Sequence, residues 1–326
     1  MDFSYTEEQQ MLQDSVQKFV QKSYDFGTRN AILASDDGYS IENWQLFAEL
    51  GWLTVPFSEA DGGFGGSAVD LIVMMEEFGK ANLVEPFMPT AILGGGLVAA
   101  LGADTQKAEL LPRVMDGSLQ LACAYAESTS RFNLASVTTS AESEADSLVI
   151  NGSKIAVLNG PGADKLLVVA RESGATADNA GISVFLVDSE SEGVSIQAYT
   201  NVDGKKAARI DFDSVTVPAA QRLGEAGGAL AALQAVIDRA IVATSAEAVG
   251  ALEALLQKTV EYSKTRKQFG TAIGTFQALQ HRMADMFIEC QLARSIVIMA
   301  AMKLDSSEGE LEKTKSVSAA KSRVGR

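Results

Sequence analysis

A short segment between two predicted helices is dense in hydrogen-bond donors. Basic and amide side chains surround one aromatic ring and one glycine, and together they form what we call the donor cluster: Lys264, Arg266, Lys267, Gln268, Phe269, Gly270, Gln277 and Gln280. The chain carries a formal net charge of -15, so donors concentrated beside an aromatic ring favour an anionic ligand with a planar ring. The alternative is a solvated helix end, where cations interact favourably with the helix dipole.

Two amphipathic helices are predicted to hold the donor cluster between them. Apolar residues recur at helical spacing before and after it, at Leu230, Leu233, Ile237, Ala240 and Ile241, and then at Leu279, Met283, Met286, Phe287, Cys290, Ala293 and Val297. The donor cluster therefore lies on a short, glycine-containing connection between these helices.

Length and composition indicate a globular protein of two or three domains. The chain has 326 residues, of which 47% are hydrophobic and 21% are charged, enough to bury a sizeable core. The acidic balance argues against nucleic-acid binding, because no basic face is dense enough to neutralise phosphates over any length. A single histidine, His281, rules out a metal site built from several histidines, and no cysteine pair has metal-ligand spacing. We expect neither a metal centre nor a nucleic-acid partner.

The amino end and the apolar runs predict a cytoplasmic protein. Residues 1–10 lack the positive head and apolar core of a signal peptide. The longest apolar stretch, residues 92–103, is too short to cross a bilayer. Cys123 and Cys290 each lie in an apolar run, which is typical of packing residues in a reducing compartment. We expect no membrane segment.

The hydrophobic period changes twice along the chain and predicts an α+β protein of three domains. Helical signals dominate residues 1–117, where Thr6 opens a capping box and a second helix begins at Ser40. Short β-rich runs fill residues 118–224, as in a small barrel or sandwich. Helical periodicity returns in residues 225–326.

Two local signals within this order carry specific predictions. In the β block a strand is predicted at residues 136–140, and Asn151-Gly152 predicts a hairpin between two short strands. In the first helical block, Gly94, Gly96 and Ala99 fit a dinucleotide-binding fingerprint. That fingerprint should follow a buried strand, and none precedes it here. We interpret residues 93–101 as a close-packed helix.

The donor cluster and the residues around it resemble the signature of the acyl-CoA dehydrogenase family. The matching positions are Tyr262, Arg266, Gln268, Phe269, Gly270, Ile273, Phe276, Gln277, Gln280, Ala284, Asp285 and Met286. The resemblance implies an all-α amino-terminal domain, a middle β-barrel or sandwich domain and a carboxyl-terminal helical bundle, with FAD as cofactor. In that family the positions matching Arg266, Gln268, Phe269 and Gln277 serve the FAD site of the dimer-related subunit, so we predict that these residues bind the cofactor there. Ile273 is also predicted as a cofactor-binding residue.

One stretch of the β block matches, in the family, a segment that touches the reactive flavin ring. Glu127 is kept and is predicted as a cofactor-site residue. Ala126 stands where a hydroxyl would bond the flavin, and Arg131 and Phe132 stand where the family has a glycine and a serine.

A second stretch keeps the family frame but not its flavin contacts. The tryptophan that shields the ring has become Ala156, and the threonine that hydrogen-bonds it has become Leu158, the position predicted to face the cofactor. Loss of one donor to a ligand typically costs about 0.5–1.5 kcal/mol. We therefore expect this chain to hold its own flavin ring weakly.

The resemblance also directs attention to the catalytic base. The family needs a carboxylate that removes the proton beside the thioester carbonyl, usually a glutamate after a segment that residues 1–326 do not reach, since Arg326 falls within the third predicted helix of the last domain. Some members place the base before an arginine on the first helix of that domain, where Asp238-Arg239 lies. Asp238 is the candidate, and an ordinary ion-pairing or capping aspartate is the alternative.

These features predict a subunit that dehydrogenates the α,β bond of an acyl-CoA thioester with FAD. Within the family the chain most resembles the small subunit of the heteromeric pimeloyl-CoA type, which implies dicarboxylic or steroid-derived substrates and a role in fatty acid metabolism. The expected partners are a second copy, as a homodimer or tetramer, or a different dehydrogenase chain, and electron-transfer flavoprotein as acceptor. A non-catalytic structural or acyl-CoA-binding subunit is the alternative.

Overall fold

The computed structural model describes residues 5–144 and 146–326. Helices occupy the two ends of the chain: α1 Glu7–Ser23, α2 Phe26–Leu33, α3 Ile41–Glu49, α4 Ala68–Ala81, α5 Gly96–Leu101, α6 Asp104–Met115, α7 Leu230–Thr265, α8 Gln277–Leu304 and α9 Glu310–Val324. Strands lie between them: β1 Leu121–Ala124, β2 Ser140–Glu144, β3 Ser147–Leu158, β4 Lys165–Arg171, β5 Ile182–Asp188, β6 Val194–Thr200, β7 Lys206–Pro218 and β8 Arg222–Leu223, with a later hairpin of β9 Lys267–Gln268 and β10 Thr271–Ala272. The predicted α+β class is confirmed. None of the helices among the described residues is long and apolar enough to cross a membrane.

Side-chain caps fix where the early helices begin. The Thr6 hydroxyl accepts from the Gln9 N–H and the Gln9 amide oxygen accepts from the Thr6 N–H, which confirms the predicted capping box. Ser40 caps α3 by accepting from the Asn43 N–H. Helix α2 was not predicted from the sequence, because its eight residues bury no side chain and carry no apolar stripe.

The strands form one mixed sheet in the order β6-β7-β3-β2-β4-β5-β8, and β1 pairs with β4 in parallel. Most other neighbours are antiparallel. Aliphatic and aromatic side chains form its core: Ala122, Ala124, Ala141, Leu148, Ile150, Val157, Ala163, Leu166, Val168, Ala170, Phe185, Val187, Ala208, Ile210, Phe212, Val215 and Val217. The sheet therefore supplies a rigid support for the loops at its ends.

Asn151-Gly152 does not form a turn, so the predicted hairpin is wrong. Strand β3 runs through both residues, paired with β2 on one side and β7 on the other, and its register shifts between Ile150 and Gly152. The type I′ turn that Asn-Gly favours needs positive φ at both central residues, and here only Gly152 has it, with φ 150°. The pairing of a central strand on both edges outweighed the local turn preference, and the glycine became a β-bulge.

The strand predicted at residues 136–140 is also wrong, because β2 begins at Ser140. The preceding backbone is used differently: the Thr138 and Thr139 N–H groups donate to the carboxylate of Glu127. These two N–H groups donate to the buried Glu127 carboxylate and not to a neighbouring strand, so this segment does not join the sheet.

The glycines of the dinucleotide-like fingerprint are packing residues. The chain forms a π-helix over Met88–Gly95 that continues into α5, which confirms a helix over residues 93–101. A Cβ on Gly94 would lie 2.4 Å from the Leu121 Cβ, and one on Gly95 would lie 2.5 Å from the Phe57 ring. Side chains occupy the space that a pyrophosphate would need, so this segment binds no dinucleotide.

The chain divides into two compact units. One comprises Met1–Asn30, Ser67–Leu83 and Ile241–Arg326, and the other comprises Ala31–Gly66 and Val84–Ala240. In the first unit α4 and α7 cross closely, since a Cβ on Gly79 would lie 1.8 Å from the Glu247 carbonyl oxygen. The predicted boundaries of three domains, at residues 117 and 224, stay a prediction.

Candidate functional site

The centre of the donor cluster lies on a tight hairpin that follows α7, whereas Lys264 belongs to α7, and Gln277 and Gln280 belong to α8. Strands β9 and β10 pair through Gln268 and Thr271, and the turn between them consists of Phe269 and Gly270. Both turn residues have positive φ, 53° and 81°, as a two-residue turn of type I′ requires. Nothing lies within 4 Å of a Cβ built on Gly270, so the glycine serves the backbone conformation alone. The carbonyl of Arg266 accepts from the Ile273 N–H at 2.8 Å, which closes the base of the hairpin.

Two features of Phe269 are energetically unfavourable within its own unit. Its ring is 93% exposed, and its backbone occupies the left-handed region, which is unfavourable for a bulky side chain. Its ring contact is an edge-on approach to Phe276, with centroids 6.2 Å apart. Strain that persists at an exposed aromatic residue points to a role in binding.

The polar members of the donor cluster are exposed beside this ring. Arg266, Gln268 and Gln277 all lie at the surface. Within the described part of the chain, the Arg266 guanidinium has no ion-pair partner and no side-chain hydrogen bond, and the Gln268 amide donates to the neighbouring Lys267 carbonyl. The five predicted residues of this half of the site therefore lie on the hairpin, on the short connection after it and at the start of α8. They include an exposed guanidinium and an exposed aromatic ring.

The Glu127 carboxylate, in contrast, is occupied within the sheet. Its Oε1 accepts from the Lys154 Nζ at 2.7 Å, the Thr139 N–H at 3.0 Å and the Thr139 hydroxyl at 2.8 Å. Its Oε2 accepts from the Thr138 N–H at 2.8 Å and from the Thr138 hydroxyl. Lys154 and Glu127 are both buried. The side chain of Glu127 thus links β3 to the segment before β2 through hydrogen bonds. Glu127 would therefore contribute to a cofactor site by holding these two segments in place.

Charge interactions keep Glu127 ionised. Burial acts to raise its pKa, but the Lys154 ammonium and the hydrogen bonds from Lys154, Thr138 and Thr139 outweigh it and bring the pKa down to about 2. Burial lowers the pKa of Lys154, and the Glu127 carboxylate opposes that shift. The pair is a buried ion pair with nearly complete hydrogen bonding.

The positions predicted to face the flavin lie on β3 and in the segment after β1, and they carry no polar side-chain atom. The Ile155 N–H donates to the Ala126 carbonyl at 2.8 Å, which joins the two predicted stretches. Ala156 is exposed, has φ 53° and lies where β3 shifts register against β7. The backbone irregularity is present at this position, but Ala156 carries a methyl group where the resemblance implies the ring of a tryptophan. Leu158 is half-buried and lines a small cavity of about 50 Å³.

A larger cavity, of about 690 Å³, lies at the first turn of α7, and we call it the α7 cavity. Its walls come from residues 132–135, from Asn179 and Ala180, and from the start of α7 including Gln234. Phe132 at its rim is 99% exposed. The preceding Arg131 has φ 48°, a left-handed backbone conformation that suits glycine, and Arg131 stands where the resemblance implies a glycine. A volume of this size is ordinary for a small-molecule site.

Asp238 lies one helical turn from the wall of the α7 cavity. Its side chain is 4% exposed, and its Oδ1 accepts from the Gln234 Nε2 at 2.8 Å. The sequence interpretation did not single out Gln234, although its i, i+4 spacing from Asp238 on a predicted helix is the signal that could have found it. Arg239 next to it donates to the Gly66 carbonyl at 2.6 Å. A carboxylate is therefore held in a fixed orientation beside the cavity wall.

No metal centre is formed by the part of the chain that the structure describes: nowhere in residues 5–144 and 146–326 do three or more His, Cys, Asp or Glu side chains come together as ligands.

Comparisons with known proteins match the whole chain to one family. Models of the acyl-CoA dehydrogenase N-terminal, middle and C-terminal domains match residues 6–118, 122–215 and 226–326. The probable acyl-CoA dehydrogenase YngJ of Bacillus subtilis is 30% identical over 311 residues, which are 94% of this chain and 81% of that protein. The caffeyl-CoA reductase-Etf complex subunit CarC of Acetobacterium woodii is 26% identical over 323 residues, 97% of this chain and 84% of that protein.

A solved structure agrees with these matches. The FAD complex of PigA superposes with a TM-score of 0.91 at 25% identity, over 99% of this chain and 85% of that one. The family models cover well over half of the chain, and the fold agrees along almost its full length. This chain belongs to the acyl-CoA dehydrogenase family.

Proposed function

We propose that this chain is a subunit of an FAD-dependent dehydrogenase that acts on an acyl-CoA thioester, and that it holds the diphosphate and adenine end of FAD in the site of a neighbouring subunit. The observation that carries this proposal is the strained, exposed Phe269 beside the unpaired guanidinium of Arg266. A guanidinium fork binds a diphosphate through paired charge-assisted hydrogen bonds, and an aromatic face packs against a purine ring. Gln268 and Gln277 add amide donors and acceptors.

The two halves of a flavin site fit FAD unequally. The hairpin half fits, because the Arg266 guanidinium has no ion pair among the described residues and the Phe269 ring is 93% exposed, with only an edge-on contact to Phe276. The ring half does not, because Ala126, Ala156 and Leu158 offer neither a side-chain hydrogen bond nor an aromatic face. This contrast supports a chain that contributes more to a neighbour's cofactor than to its own.

The remaining chemistry is assigned to Asp238 and the α7 cavity. When FAD is bound, it accepts the hydride that leaves the β carbon of the thioester. In this assignment the acyl-CoA enters the α7 cavity, and the Asp238 carboxylate, oriented by Gln234, takes the proton from the α carbon as general base. The positive end of α7, a helix of 36 residues, favours a phosphate group near the cavity.

The visible spectrum of the purified protein tests the shared FAD site. The chain purified alone is expected to be colourless or to hold less than one FAD per chain, whereas co-expression with its partner chain gives a yellow complex. Arg266→Ala should lower flavin retention by that complex about tenfold or more, since a charge-assisted contact contributes roughly 1.5–3 kcal/mol. Arg209→Ala is the matched control, because Arg209 is also exposed but pairs with Asp211 in β7.

A yellow homo-oligomer that holds one FAD per chain would refute the shared site and restore an ordinary homomeric dehydrogenase. Unchanged flavin in the Arg266→Ala complex would refute the role of the hairpin.

Substitution of the carboxylate tests the assignment of the base. Asp238→Asn should abolish acyl-CoA oxidation by the complex while its FAD content stays the same, and the surface substitution Asp211→Asn should leave both unchanged. Full turnover by the Asp238→Asn complex would remove Asp238 as the base.

A non-catalytic subunit is the second candidate function, and the missing flavin contacts at Ala126, Ala156 and Leu158 favour it. It predicts that Asp238→Asn is silent and that Arg266→Ala still releases flavin from the partner. Asp238→Asn therefore separates a catalytic subunit from a structural one, whereas Arg266→Ala releases flavin in both cases.

The substrate and partner assignments extend the same proposal. Dicarboxylic or steroid-derived acyl-CoA esters are the proposed substrates, and a small-subunit role beside a different dehydrogenase chain is the proposed assembly. Oligomers or heteromers occur among the relatives, as the subunit name of CarC states, and that name also includes Etf. We assign electron-transfer flavoprotein as the acceptor and the cytoplasm as the location. Reduction of purified electron-transfer flavoprotein by the complex, upon addition of each acyl-CoA, tests acceptor and substrate together.

A further inference from the structure

Arg171, at the end of β4, is a buried cation that is surrounded by carbonyl groups. Its side chain is 8% exposed, and none of its ion pairs or hydrogen bonds among the described residues involves a carboxylate. Its guanidinium donates instead to six backbone carbonyls, those of Ala135, Val137, Ser173, Thr176, Asp178 and Ala180, at 2.7–3.2 Å. A buried charge needs such hydrogen bonds, and the five N–H donors of a guanidinium supply them from a fixed plane, with at least one N–H shared between two carbonyls.

The six carbonyls belong to two separate segments. Ala135 and Val137 lie before β2, whereas the other four lie in the connection between β4 and β5. One backbone hydrogen bond, from the Val137 N–H to the Thr176 carbonyl at 3.0 Å, also joins the two segments. Arg171 is thus the main polar connection between them.

Both segments form walls of the α7 cavity. Residues 133–135 line one side, and Asn179 and Ala180 line the other. The β4–β5 connection is in turn bonded to the start of α7, since the Gly181 N–H donates to the Gly227 carbonyl at 3.0 Å and the Gly227 N–H donates to the Ser183 hydroxyl at 2.8 Å. The position of each wall therefore depends, directly or through one hydrogen bond, on the Arg171 guanidinium.

We propose that Arg171 is a positioning residue that holds the walls of the α7 cavity at the separation that the acyl-CoA needs. The identity of the ligand rests on the proposed function, but the role of the guanidinium does not. Without it, six carbonyl dipoles converge on a space that holds no donor, so the two segments separate to reach water. A lysine cannot substitute fully, because an ammonium has three donors and no planar fork.

Hydrogen exchange tests the positioning in the absence of any ligand. In Arg171→Lys, the amides of residues 133–137 and 172–181 are expected to exchange faster, while those of β6 and β7 keep their wild-type rates. The control is Arg209→Lys, which alters an exposed arginine on β7 and should leave both segments unchanged. Unchanged exchange of both segments in Arg171→Lys would overturn the proposal.

Steady-state kinetics of the intact complex test the consequence for the ligand. Arg171→Lys should raise KM for the acyl-CoA about tenfold, with kcat and FAD content unchanged, because the two segments that Arg171 joins contain neither Asp238 nor Gln234. Arg171→Ala should show a larger rise in KM that added guanidinium ion, at a concentration below denaturation, partly reverses, whereas urea at the same concentration does not. A variant that is merely less stable, with KM unchanged and no guanidinium rescue, would overturn the proposal.

A failure of the proposed function can be distinguished from a failure of the proposed role of Arg171. If the wild-type complex neither binds nor oxidises an acyl-CoA, the proposed function fails, and the exchange measurement still decides the role of Arg171. If Arg171→Lys does not fold, the guanidinium dependence of folding and of segment exchange in Arg171→Ala decides it, and the absence of such dependence overturns the proposal.

Discussion

Glu127 and Arg171 show that buried charge on this sheet is stabilised in two ways. Glu127 is neutralised by the ammonium of Lys154 at 2.7 Å, whereas Arg171 is solvated by backbone carbonyls alone. Glu127 links β3 to the segment before β2. Arg171 links the end of β4 to two segments that line the α7 cavity. Removal of one partner from a buried pair leaves an unpaired charge, which is far more costly than removal of both.

The Glu127–Lys154 pair leads to a prediction about stability. Glu127→Gln should lower the free energy of unfolding by about 3–5 kcal/mol, because it leaves the Lys154 ammonium buried without its counter-charge. The double variant Glu127→Gln with Lys154→Met should recover most of that loss. Urea unfolding measures both, and equal losses in the single and double variants would contradict the ion-pair explanation.

The same pair should make stability depend on pH. The pKa of Glu127 is lowered from 4.5 to about 2, so its contribution is fully present above pH 4.5 and is lost as the pH falls from 4.5 towards 2. The difference in unfolding free energy between the wild type and Glu127→Gln should therefore shrink over that range. A difference that stays constant between pH 6 and pH 3 would show that Glu127 does not control it.

The turn residue Phe269 should show a conflict between stability and binding. Phe269→Asn is expected to raise the free energy of unfolding by about 1 kcal/mol, because asparagine tolerates the left-handed conformation better than a bulky ring does. It should also reduce the FAD retained by the co-purified complex. Thermal unfolding and the visible spectrum test the two effects, and a destabilised variant would show that the ring packs within this chain.

At the level of elements, close helix packing explains the glycine-rich run that resembled a dinucleotide fingerprint. The π-helix and α5 place successive glycines against different neighbours, so each tolerates a methyl group differently. Gly94 meets Leu121, whereas Gly96 faces Val236 at an ordinary contact distance of 3.4 Å. The run is a packing device for the helical layer beside β1.

This packing predicts opposite outcomes for two matched substitutions. Gly94→Ala should destabilise the protein by about 1–3 kcal/mol, because its Cβ would lie 2.4 Å from the Leu121 Cβ. Gly96→Ala should be neutral or slightly stabilising, since alanine favours a helix. Thermal unfolding measures the stability of both variants. Equal changes in stability would mean that helix propensity, and not packing, determines the effect of alanine in this run.

For the whole molecule, the exposed apolar residues of the last helices indicate an oligomer. Helix α8 carries several large apolar residues that are 38–54% exposed: Leu279, Phe287, Ile288, Leu292 and Met299. Exposed apolar surface of this extent is typical of a protein interface.

Charge placed on α8 should therefore disrupt assembly. Ile288→Glu with Leu292→Glu is expected to shift the sedimentation coefficient of the chain, or of its complex, towards that of a single chain. Val202→Glu is the control, because Val202 is fully exposed in the turn between β6 and β7 and does not belong to α8. A stable monomer in the unmodified protein at micromolar concentration would contradict the interface.

Several features could be predicted from the sequence because they depend on residues close together in the chain. The Thr6 cap, the start of α3 at Ser40 and the long helices on either side of the donor cluster follow from capping and 3.6-residue periodicity. The donor cluster lies on a connection, as its spacing predicted, and its resemblance to a family signature led to the family that the comparisons confirm. The roles of the individual site residues stay predictions.

Tertiary structure decided the features that depend on distant neighbours. Gly152 forms a bulge and not a turn because β2 and β7 pair with β3 on both edges. Residues 138 and 139 do not join a strand because the Glu127 carboxylate accepts their N–H groups. The role of Arg171 was not visible in the sequence at all, since its six acceptors are backbone carbonyls that no side-chain pattern encodes, brought together only when the sheet folds.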